Sequence, residues 1–182
     1  ITKRKLIFSI LYHVYFFILG IFLYSGNYIF FYNSNVYLPS NIPATVFCLL
    51  TIFNILGEKF LFKKPITTVT LSGVILGISG ILIIFFNDFI SFNLNSGTTI
   101  GLMFALLATL SASAGNLIAI YNKRNFSIPL LQNVAYAMIY GALVALLVSF
   151  IKGSEFYIPI TNFSYILGQI YLIIFGSIVS FL

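Results

Sequence analysis

VYFFILGIFLYSGNYIFFY, residues Val14–Tyr32, runs 19 positions without a charged side chain. A bilayer's hydrocarbon core is about 30 Å thick and a helix rises about 1.5 Å per residue, so roughly 20 apolar residues make one crossing. Working outward, five further stretches satisfy the same requirement: Leu38–Gly57, Val69–Phe86, Thr99–Tyr121, Pro129–Ile151 and Tyr165–Leu182. Leu6–His13 is apolar too, so the first helix has room to start early. Between the spans lie Asn33-Ser34-Asn35, Lys63-Lys64-Pro65, Asn87-Asp88, Lys123-Arg124-Asn125 and Lys152-Gly153-Ser154-Glu155. These turn-forming or charged runs cannot be left in lipid. The reading is an all-α, multi-pass transmembrane bundle of six spans.

Composition agrees. The chain is 60% hydrophobic and 7% charged, against roughly 25% charged residues in an ordinary soluble domain. Its net charge of +6 does not point to nucleic acid, because the nine Lys and Arg sit in short clusters at span ends rather than along one face. They act as topology signals. Lys3, Arg4, Lys5, Lys59, Lys63, Lys64, Lys123 and Arg124 fall on one side of the expected membrane, and Lys152 alone falls on the other. By the positive-inside rule the chain start and the second and fourth gaps are cytoplasmic.

Chemistry is sparse. One His and three acids cannot supply a metal cluster or a catalytic triad, and no Gly-rich loop ends in Lys-Ser or Lys-Thr. Cys48 is alone in an apolar span and reads as a small packed hydrophobe. His13 is either an interfacial ring or a solute- or proton-handling group. Glu58 is either paired with a nearby Lys or a coupling residue.

Within the spans, small and amide residues stand out. Gly73, Gly77 and Gly80 share a helix flank, and span four reads Ala108, Ser111, Ala112, Ser113, Ala114, Gly115, Asn116 and Ala119, so both helices are expected to approach neighbours closely. Asn27, Asn54, Asn116, Gln132 and Asn133 carry polar groups that lipid cannot satisfy, and must face the bundle as interhelical glue or as the lining of a cavity. Tyr24, Tyr28, Tyr136 and Tyr140 lie beside them at i, i+4 spacing. The candidate solute-binding set is Asn27, Tyr28, Asn116, Asn133 and Tyr136.

A family resemblance sharpens this. Leu38-Pro39-Ser40-Asn41-Ile42-Pro43-Ala44 leading to Gly57-Glu58-Lys59, followed by Pro65 and the Gly-rich Leu71–Ile81, resembles the fourth and fifth helices of an EamA domain in the drug/metabolite transporter superfamily. Ser113-Ala114-Gly115-Asn116 with Lys123-Arg124 is similar to the start of the second EamA repeat, Gln132 to a glutamine of its next helix, and Ile174-Phe175-Gly176-Ser177 to the helix after that. The tryptophans frequent in that family are absent.

The resemblance implies helices three to eight of a ten-helix transporter built from two inverted repeats, with two helices beyond each end. Residues 1–87 would close the first repeat, 88–98 would be an external linker, and 99–182 would open the second. Ile21–Ser25 and Ile174–Ser177 would then occupy equivalent positions. The implied function is alternating-access transport of a small organic metabolite or drug-like solute across a bacterial cytoplasmic membrane. The expected partners are membrane lipid and solute, with no nucleic acid and no cofactor, and a homodimer is compatible with the sequence. Two other classes stay open: a non-transporting scaffold subunit and a membrane-embedded lipid-modifying enzyme.

Overall fold

The computed structural model describes residues 8–84, 86, 96–153, 159 and 162–179, and among them no strand occurs. Four helices are long and apolar enough to cross a membrane. The first, Ile10–Tyr37, comprises α1 (Ile10–Gly20), a π-helical segment (Ile21–Gly26) and α2 (Asn27–Tyr37) without a break. The second, Asn41–Phe62, comprises α3 (Asn41–Phe47) and α4 (Leu50–Phe62). The others are α6 (Ser96–Phe126) and α7 (Leu130–Ile151). The expected third and sixth spans form shorter apolar helices: α5 (Thr68–Ile84) and α8 (Phe163–Tyr171), the latter continued by a second π segment, Leu172–Val179. The cation cluster Lys3–Lys5, the acids Asp88 and Glu155, and most of the expected linker 88–98 lie outside the described residues.

Local chemistry fixes the helix ends. Pro43 sits in the first turn of α3, where its missing N–H costs no helical bond. α4 stops at Lys63, which takes the left-handed conformation with φ 52° and donates its N–H to the Glu58 carbonyl; Pro65 follows and bars continuation. α6 ends the same way, with Ser127 at φ 52° and Pro129 two residues on. At α8, the Asn162 carboxamide accepts the Tyr165 N–H at 3.2 Å, a side-chain N-cap.

α6 is the hub of the packed unit. Gly101, Ala105, Ala108, Ala112 and Gly115 are buried at alternating steps of four and three residues, which is one continuous stripe on a helix. Against it lie α2, the first π segment, α3 and α4, while α7 packs on α1 and the same π segment. Without a hydrophobic drive between helices in lipid, such contacts depend on close van der Waals approach. A Cβ on Gly115 would come within 2.7 Å of Leu23 Cβ, and one on Gly20 within 2.6 Å of the Ala137 carbonyl. Two hydroxyls lock the first span to α6: Ser34 Oγ donates to the Gly101 carbonyl at 2.7 Å, and Ser111 Oγ to the Phe22 carbonyl at 2.7 Å.

The other glycine run behaves differently. Added Cβ atoms on Gly73, Gly77 and Gly80 meet nothing within 4 Å among the described residues, and α5 lies outside the packed unit. The expectation of close approach there is corrected. Periodicity reports which residues share a flank, and it does not say whether a neighbour exists. Cys48 is likewise exposed rather than packed, its Sγ lying 3.4 Å from the Ala44 carbonyl.

Candidate functional site

The π segment is the main irregularity in the first span. There the Asn27 N–H reaches back five residues to the Phe22 carbonyl, which also receives Ser111 Oγ. A wide turn of this kind tilts carbonyls out of the helical ladder and frees them for bonds across helices. Gly20 precedes the segment and Gly26 ends it, and Ser25 Oγ donates to the Ile21 carbonyl at 3.1 Å. The buried Asn27 follows directly, with Nδ2 donating to the Leu23 carbonyl at 3.2 Å. On the facing helix, Asn116 is half-buried beside Gly115, whose Cα side abuts Leu23. Asn27 and Asn116 therefore stand on two elements that meet at the π segment.

The other candidates are placed elsewhere. Asn133 is 0% exposed, and both ends of its amide are engaged: Oδ1 accepts from Asn122 Nδ2 at 3.0 Å, and Nδ2 donates to the Ala119 carbonyl at 3.3 Å. It clamps α6 to α7 across the turn at Ser127, and offers no polar atom to a solute in this arrangement. Asn122, whose Oδ1 is buried without a partner, was not singled out by sequence because it stands beside the cations that mark the helix end. Asn54 Oδ1 is also buried and unpartnered, which fits its expected bundle-facing position on α4. Tyr28 is half-exposed, its ring stacked on Tyr32 with centroids 6.5 Å apart, so it lies on the outer surface rather than on a cavity wall.

Tyr136 belongs to an aromatic cluster at the start of α1. Its ring stacks on Phe16 at 4.9 Å and 8°, and receives the edge of His13 at 5.3 Å. Nδ1 of His13 is hydrogen-bonded to the Tyr140 hydroxyl at 2.9 Å. The ring is thus held from α7. Glu58 forms an ion pair with Lys64, which lies six residues on, past the turn at Lys63. This is the local pairing that its position suggested.

A cleft of about 740 Å³ opens where the end of α4 meets α6 and the first π segment. Phe22, Leu61, Phe62, Leu117 and Ile118 supply apolar walls. Lys63, Arg124 and Asn125 line it at the helix ends. The Arg124 guanidinium lies 4.7 Å above the Phe62 ring, a cation–π contact. Its volume falls within the 300–1,000 Å³ usual for small-molecule sites. None of the amide candidates lines it. Sequence reasoning took Lys63 and Arg124 as topology signals and missed the cleft, because the two residues are 61 positions apart and only the parallel packing of α4 on α6, end beside end, joins them.

No family model, curated protein or solved structure matches this chain.

Proposed function

We propose that this chain is part of a secondary carrier of small organic solutes that works by alternating access, built like the EamA transporters it resembles. One observation carries the reading. Among the described residues there are two π segments, Ile21–Gly26 and Leu172–Val179, and they fall on the two stretches, Ile21–Ser25 and Ile174–Ser177, that the EamA resemblance would make equivalent. Irregular turns at corresponding positions of two repeats would suit a carrier's mid-membrane site, which is usually built where helices depart from the regular ladder.

On this reading the solute-facing groups centre on Asn27 and Asn116, at the contact between the first π segment and α6. Tyr28 on the outer surface, and the clamped Asn133 and Tyr136, have no solute contact on this reading. The direct test is a flux screen with the intact protein in vesicles, with and without a proton gradient. Saturable flux of one solute class, reduced at least tenfold by Asn116→Leu with unchanged folded yield, is expected. An intact, folded protein that moves none of the screened metabolite and drug-like classes would contradict the proposal.

A further inference from the structure

We infer that the cleft between α4 and α6 is a binding site for an anionic phospholipid, with an acyl chain along Phe22, Leu117 and Ile118 and the phosphate at Lys63 and Arg124. Three observations converge on this ligand and do not depend on the carrier reading. The cleft is apolar along its walls and cationic at the helix ends, the polarity profile of one lipid leaflet. Among the described residues neither cation has an acidic partner, because Glu58 is taken by Lys64 and no carboxylate lines the cleft. Arg124 is also held in place: its guanidinium carbon lies 4.7 Å from the Phe62 ring centroid, a cation–π contact that leaves N–H donors for phosphate oxygens.

Each cation near an anionic lipid surface favours binding measurably, and two together favour a phosphatidylglycerol over a phosphatidylcholine by roughly 30-fold. Asn125 adds little to this, since its Nδ2 already donates to the Tyr121 carbonyl at 3.2 Å.

The test is native mass spectrometry of the intact protein in detergent, titrated with phosphatidylglycerol and phosphatidylcholine of identical chains. The wild type should retain phosphatidylglycerol about 30-fold better. The double variant Lys63→Gln/Arg124→Gln should reduce that preference to about threefold or less, while Lys123→Gln, one residue from Arg124 but outside the cleft, should keep it. Ala114→Phe, which fills the cleft without changing charge, should weaken both lipids. A preference that survives the double variant, or that Lys123→Gln abolishes equally, would overturn the site. Competition by glycerol phosphate as effective as by the lipid would reassign it to free phosphate esters and also overturn the proposal. Unfolding midpoints recorded on the same samples separate lost binding from lost fold; if the double variant is unfolded, lipid retention in Ala114→Phe decides against the site and its loss decides for it.

Discussion

Asn133 illustrates how the same residue type serves two ends. A buried amide in a membrane helix must find partners, and sequence alone leaves open whether these are solute or protein. Here they are Asn122 and the Ala119 carbonyl. Interhelical polar bonds in membranes average about 0.6 kcal/mol and reach about 1.7 kcal/mol. Asn133→Leu, which breaks two such bonds and leaves Asn122 buried without a partner, should therefore lower stability by about 1–2 kcal/mol, and the double variant Asn122→Leu/Asn133→Leu should lower it by less than the two single changes combined. Thermal unfolding in detergent measures both. The glycines give an equally sharp contrast. A Cβ on Gly115 would sit within 3.0 Å of three Leu23 atoms, two of them backbone, whereas one on Gly77 meets nothing. Gly115→Ala should cost about 1–3 kcal/mol through overpacking. Gly77→Ala should be neutral or stabilise by up to about 1 kcal/mol, the ordinary helix preference for Ala. Equal losses in the two variants would show that α5 has a close neighbour.

At the level of elements, helix existence was legible, because lipid imposes strong rules on it, while the spans expected to end at Gly57 and Tyr121 run on to Phe62 and Phe126. Lys63-Lys64-Pro65 read directly as a stop, and it is a left-handed turn followed by Pro, whereas the stop expected at Lys123-Arg124-Asn125 comes instead at Ser127, a second left-handed residue two positions before Pro129. The small-residue run of α6 was also legible, and it became the packing hub. The π segment was not. A π turn arises where one more residue occupies the turn than the α ladder accommodates, and nothing in Ile21–Gly26 announces this apart from Gly26 and Ser25. The cleft was illegible too, since it depends on which helices touch. Deleting Ser25 should convert the segment to regular α-helix while α1 and α2 keep their faces, because the π turn absorbs the extra residue without turning the flanking helices. Far-UV circular dichroism should then stay helical while the unfolding midpoint falls, because the restored ladder draws the Phe22 carbonyl back into the helix and away from Ser111. An unchanged midpoint would mean that the π turn places nothing.

For the whole molecule, the packing brings the start of α1, the end of α4, the end of α6 and the start of α7 to one end: Tyr12 and Tyr15 pack on Phe126, and Lys63 and Arg124 share a cleft. That arrangement groups cations from two separate gaps, as the alternating-gap count requires. In a Cys48→Ser background, an impermeant thiol reagent added to intact cells should modify Val36→Cys and spare Lys123→Cys; the reverse pattern would invert the topology. The central claim, alternating access around the first π segment, has a stricter test in the same background. Asn116→Cys should react with impermeant reagent applied from either side of sealed vesicles of known orientation, because a carrier's site opens to each side in turn. Modification from one side only, or from neither, would contradict it.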